Sequence, residues 1–117
     1  YRPAIKEKCR DGFCPVGPWI IGRGEVGNPD DLRVRVYVNG ELKQENTTAN
    51  LVRSVARLIE DVTSFMTLHA GDILLAGVPE GAPLVKQGDR VKIEIEGVGV
   101  LENIVRHEKE AAKDVCR

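Results

Sequence analysis

Residues 71–103 read GDILLAGVPEGAPLVKQGDRVKIEIEGVGVLEN, and this stretch decides the fold. It holds two Gly-Asp turns, Gly71-Asp72 and Gly88-Asp89, each leading straight into an apolar run. The first run, Ile73-Leu74-Leu75-Ala76, is continuous and predicts a strand buried on both faces. The second, residues 91–96, alternates apolar and charged side chains and predicts a strand with one wet face. Between them Gly77-Val78-Pro79-Glu80-Gly81 predicts a loop, because its Gly and Pro residues break both helix and strand. A loop at the mouth of a buried strand is a common position for a binding site.

Outward from this stretch, residues 32–38 (LRVRVYV) give the cleanest alternation in the chain, with Leu32, Val34, Val36 and Val38 on one side. Asn39-Gly40 follows as a strong hairpin signal, and the return strand is expected over 41–45. A helix is expected over about 49–66, capped by Thr48 or Asn50 and ending near Leu68. Its stripe is Leu51, Val52, Val55, Leu58, Ile59, Val62, Phe65 and Met66. Gly97 and Gly99 end the second strand, and another begins over 100–105. Upstream, Trp19-Ile20-Ile21 favours a short strand. Residues 106–117 alternate charge signs and predict a frayed surface helix or a disordered tail. The order predicts a mainly β, α+β fold with one helix packed on a sheet.

A chain of 117 residues is one domain's worth, and 42% hydrophobic with 30% charged residues fits a globular protein. A net charge of −1 gives no electrostatic reason to expect nucleic acid or an anionic membrane as partner. The longest apolar runs fall well short of the roughly 18 residues of a membrane span. Cys9, Cys14 and Cys116 form no metal-binding pattern and predict free thiols in a reducing cytoplasm, with Cys14 buried as a small hydrophobe. The chain opens on Tyr1 without Met, has no signal peptide pattern, and reads as part of a longer protein.

Few residues point to chemistry by themselves. Glu94 and Glu96 share a strand face, as paired metal ligands must, but they are also the ordinary wet positions of that strand. His69 and His107 have no ligand at motif spacing, and no nucleophile elbow, zinc-protease helix or Walker loop occurs. Lys6, Lys8 and Arg10 make a basic cluster beside Asp11, which is a solvated segment or a carboxylate-binding one.

The motifs together resemble the C-terminal part of the fumarylacetoacetate hydrolase family. Residues 8–18, KCRDGFCPVGP, are similar to that family's lysine motif. Val38-Asn39-Gly40-Glu41 with Gln44 and Thr48 matches a second motif. Thr67-Leu68, Gly71-Asp72 and 77–81 match a third, and Leu84, Gly88-Asp89, Val91 and 95–103 a fourth. The resemblance implies a mixed β-sandwich or roll with one packed helix, over residues 1–105, followed by the charged tail at 106–117. The opening YRPAIKEKCRDGFCP is similar to a branch of isomerases and decarboxylases. These act on 2-oxo and 2-hydroxy unsaturated diacids in aromatic (homoprotocatechuate) catabolism.

That resemblance implies a divalent cation, Mg²⁺ or Mn²⁺, acting as electron sink for an enolate. It implies Lys8 as the catalytic cation, orienting a carboxylate or moving a proton, and Gly77, Val78 and Pro79 as the substrate-binding loop. A homodimer and a small diacid substrate are implied as partners. Two departures matter. Val78 stands where the family offers a Thr hydroxyl, which disfavours ordinary acylpyruvate hydrolysis. No residue matches the family's E-x-E and later Asp, so the metal ligands are expected outside this chain. The alternatives are an acylpyruvate or fumarylacetoacetate-type hydrolase, and a non-catalytic half that only dimerises.

Overall fold

The computed structural model describes residues 4–109. Two four-residue helices, α1 (Ile5–Lys8) and α2 (Arg23–Val26), precede the strands β1 (Arg33–Val38) and β2 (Glu41–Thr47). A 3₁₀ turn (Thr48–Asn50) and helix α3 (Val55–Thr63) follow, then β3 (Arg90–Ile95) and β4 (Gly99–Ile104). The four strands form one antiparallel sheet in the order β2-β1-β3-β4, which leaves β2 and β4 as edges.

The alternation in β1 and β3 sets the two faces of the sheet. Val34, Val36 and Val38 pair across the ladder with Ile95, Ile93 and Val91, so these apolar side chains share one face. Arg35 and Tyr37 pair with Glu94 and Lys92 on the other. That polar face is a ladder of charge: Arg35 reaches Glu45 at 2.7 Å and Glu94 at 3.4 Å, and Lys92 lies 4.2 Å from the centre of the Tyr37 ring. The Arg35 hydrogen bond holds the Glu45 carboxyl below its usual range.

The β1–β2 hairpin closes as its Asn-Gly pair predicts. Asn39 and Gly40 take φ of 51° and 82°, the left-handed values that a two-residue turn of this kind needs. The return strand runs to Thr47 rather than to 45, with a bulge opposite Val36 and Tyr37. Asn39 also ties this hairpin to the next one. Its Nδ2 donates to Asp89 Oδ1 at 2.9 Å, and its Oδ1 accepts from the Arg90 N–H at 2.9 Å. The other Asp89 oxygen accepts from the Lys86 N–H at 2.9 Å. Asp89 is only 7% exposed, and the Lys86 bond followed by the Asn39 bond holds its carboxyl below the usual carboxylate range.

Three expectations of secondary structure change. Residues 73–76 form no strand: Ile73, Leu74 and Leu75 are 63%, 39% and 75% exposed. A continuous apolar run becomes a buried strand only when a sheet edge pairs with it and layers cover both faces. The described residues supply neither for 73–76. Trp19-Ile20-Ile21 is likewise not a strand, since Trp19 turns its indole to the β3–β4 turn and Ile20 is exposed. The helix is shorter than 49–66. Thr48–Asn50 is a 3₁₀ turn, and α3 starts only at Val55, where Ser54 Oγ accepts from the Arg57 N–H and Asp30 Oδ1 from the Val55 N–H. It ends at Thr63, where the Thr63 and Ser64 hydroxyls bond back to the carbonyls of Ile59 and Asp61.

Extensive packing among the described elements is strand to strand, and Ile59 is exposed on the apolar side of α3. Val38, 7% exposed, is the one buried apolar residue among those described. Cys14 is exposed rather than buried, as is Cys9. Cys116 and most of the expected tail lie outside the described residues. No helix among the described residues is long and apolar enough to cross a membrane.

Candidate functional site

Lys8 is the last residue of α1, whose single turn closes through Lys8 N–H to Ala4 O (3.1 Å) and Cys9 N–H to Ile5 O (2.7 Å). Its side chain is exposed, and among the described residues no hydrogen bond or ion pair engages its ammonium. The neighbouring Arg10 is committed elsewhere. Its Nε donates to Lys6 O at 2.7 Å, and its Nη1 donates to both Glu108 oxygens at 2.7 and 2.6 Å. A tight turn through Gly12 (φ 77°) then carries the chain toward Trp19. The basic cluster therefore divides into one braced arginine and two solvent-facing lysines.

The expected binding loop is also exposed, with Val78 at 85%. Its upstream end is closed by a reciprocal turn: Asp72 Oδ2 accepts from the His69 N–H at 2.7 Å, and His69 O accepts from the Asp72 N–H at 3.0 Å. Gly77 has φ of 100°, a backbone state that a side chain at this position would strain. The loop is tied to β2 by Gln44 Nε2, which donates to Glu80 O at 3.2 Å. Gln44 was legible only as a motif residue; its physical task is this tether. Thr48 has a similar part, accepting from the Leu32 N–H and donating to Pro29 O, both at 2.8 Å.

Two concavities lie elsewhere. One, of about 520 Å³, is polar and includes Asp31, Arg33, Glu45 and Glu96. The other, of about 220 Å³, is apolar and lies between Trp19 and the β3–β4 hairpin. Neither includes Lys8, Gly77, Val78 or Pro79.

The donor set for a divalent cation does not fit these residues. Such an ion takes about six oxygen ligands, with several carboxylates converging. Among the described residues no three His, Cys, Asp or Glu side chains converge on one point. The carboxylates nearest that requirement already face cations: Glu96 lies 4.0 Å from Arg33, and Glu45 and Glu94 both face Arg35. The E-x-E pair at Glu94 and Glu96 is thus the wet side of a strand. Isothermal titration of the 117-residue chain with Mn²⁺ is expected to show weak, non-saturating heat. Tight one-to-one binding would place a ligand set within it.

Comparison with known proteins follows the same lines. The family described as fumarylacetoacetate (FAA) hydrolase, C-terminal, matches residues 1–106. A 4-hydroxyphenylacetate degradation bifunctional isomerase/decarboxylase of Salmonella dublin is 47% identical over 111 residues, covering 95% of this chain and 26% of the relative. A maleylpyruvate hydrolase of Aquipseudomonas alcaligenes is 38% identical over 99 residues, covering 85% of this chain and 34% of the relative. The solved structure of maleylpyruvate hydrolase from Sphingobium sp. SYK-6, in complex with manganese(II) and pyruvate, superposes with a TM-score of 0.79 at 41% identity. That match covers 82% of this chain and 36% of the other. The chain thus spans between a quarter and two-fifths of the length of these relatives.

Proposed function

The chain belongs to the fumarylacetoacetate hydrolase family, and from that premise we propose that it is part of an isomerase/decarboxylase. The substrates we assign are 2-oxo and 2-hydroxy unsaturated diacids arising in 4-hydroxyphenylacetate breakdown. The observation that carries this reading is the 47% identity to the bifunctional isomerase/decarboxylase across nearly the whole chain. The whole enzyme is proposed as a cytoplasmic homodimer that uses Mg²⁺ or Mn²⁺, bound by carboxylates outside these 117 residues.

In this reading the residues of the chain bind and orient. The Lys8 ammonium, which has no partner among the described residues, is available to a substrate carboxylate or to proton transfer. The backbone N–H groups of Gly77 and Val78 are donors for an oxyanion, in a loop held to the sheet by Gln44. Val78 offers no hydroxyl to a second carboxylate, so that end of the substrate meets an apolar wall.

A second reading, acylpyruvate or maleylpyruvate hydrolysis, is favoured by the similarity to maleylpyruvate hydrolases and disfavoured by Val78. The test is a side-by-side assay of the full-length protein on 5-carboxymethyl-2-oxo-hexenedioate and on acylpyruvates. Release of CO₂ from the first, with kcat/KM at least about tenfold above that for any acylpyruvate, is expected; a tenfold preference is about 1.4 kcal/mol of differential transition-state binding. The reverse preference would establish the hydrolase.

A further inference from the structure

Trp19 is the one tryptophan in the chain, and its contacts link two segments far apart in sequence. Its indole Nε1 donates to Val98 O at 2.8 Å. The ring lies so close on Gly99 that a Cβ there would meet Trp19 Cζ2 at 2.8 Å and Nε1 at 3.0 Å. Gly99 also has φ of 145°, so the site needs glycine for space and for backbone. This contact sits at the start of β4. Beyond the other end of β4, Arg10 holds Glu108 through its two short bonds. β4 is an edge strand about 20 Å long, and the segment from Arg10 to Trp19 reaches at most about 30 Å. The two anchors therefore tie both ends of the Arg10–Trp19 segment to residues at the start of β4 and beyond its end. Lys8 lies two residues before the first anchor.

We propose that Trp19 is a positioning residue: its contact with Gly99, together with the Arg10–Glu108 ion pair, is a two-point clasp that fixes the Lys8 segment against the edge of the sheet. The proposal rests on the reading of Lys8 given above and adds how that side chain is placed. The Trp19 end is the stronger one, because it combines ring contact with a hydrogen bond. The ion pair is largely solvent-exposed and contributes less.

The test uses the full-length enzyme. Trp19→Ala is expected to lower kcat about tenfold or more while KM stays within about twofold, the pattern of a displaced reacting group. Trp19→Phe, which keeps a ring and loses the donor, is expected to lose about threefold by the same argument. Gly99→Ala attacks the same contact from the other side, so the double variant with Trp19→Ala is expected to fall short of the product of the two single losses. Arg10→Glu is expected to lose activity that the added Glu108→Arg restores.

Unchanged kcat in folded Trp19→Ala, or fully multiplicative losses in the double variant, would overturn the clasp. Should Trp19→Ala fail to fold, Trp19→Phe and the charge swap decide, and no kcat loss in either counts against the proposal. Lys8→Ala is run in parallel. Full activity in it overturns the reading on which the clasp rests, whereas an inactive Lys8→Ala beside a fully active Trp19→Ala overturns the clasp alone.

Discussion

Lys8→Ala in the full-length enzyme is expected to lower kcat on the diacid substrate by about 10²–10⁴-fold, the range for losing a positioned acid or base. The argument starts from the division of labour in the basic cluster. Arg10 is braced against Glu108 and Lys6, while the Lys8 ammonium has no partner among the described residues. A lysine left unpaired beside a chain segment that is itself anchored can give its whole charge to a ligand. Lys8→Arg separates its two possible tasks. Arginine keeps a positive charge for a carboxylate but does not release a proton near neutral pH. An active Lys8→Arg variant therefore assigns carboxylate binding, and an inactive one assigns proton transfer. Steady-state kinetics decide, and full activity of Lys8→Ala would remove the residue from the site.

The largest stability effect is expected at Asn39. Asn39→Ala removes the donor to Asp89, the acceptor for the Arg90 N–H, and one of the residue types that tolerate φ of 51°. Loss of the Asn39 side-chain bonds is expected to cost about 1–3 kcal/mol, read as a lower urea midpoint at unchanged slope. The effect depends on pH. The Asp89 carboxyl is held below its usual range by Lys86 and then Asn39, so the folded state favours its ionised form. Its stabilisation is fully present above the unfolded value of about 3.9 and is lost as pH falls through the lower folded value. The gap between wild type and Asn39→Ala is therefore expected to be widest at neutral pH and to narrow in strong acid to the part carried by the Arg90 N–H bond and the φ of 51°. A gap that stays constant as pH falls from neutral to well below the ordinary aspartate value of about 3.9 would show that the Asp89 bond contributes nothing and that Asn39 acts through the Arg90 N–H bond and its backbone conformation.

The Asn39–Asp89 bond marks a boundary in what can be read from sequence. Asn39-Gly40 announces a hairpin by itself, because its turn geometry is a property of two adjacent residues. That its side chain also clamps a second turn some fifty positions away is invisible until the two strands pair. Gln44 is the same case. As a residue of β2 it looks like a wet position, and only the folded chain brings Glu80 within its reach. The helix shows a subtler limit. Thr48, Asn50 and Ser54 are all good cap residues, and intrinsic preference does not rank them. Asp30, arriving from outside the helix to bond the Val55 N–H, marks the start that the fold adopts.

The sequence by itself determined the strands whose side chains alternate, the turn that joins β1 to β2, and the family to which the chain belongs. Those signals are local: a period of two and a left-handed Asn-Gly pair act over a few bonds. Only the tertiary structure decided that the apolar run at 73–76 pairs with no strand among the described residues, that Cys14 faces solvent, and that Trp19 reaches Gly99. Burial and pairing are relations between distant segments. The free energy of an apolar side chain depends on whether another surface arrives to cover it, and its own neighbours in the chain do not encode that arrival.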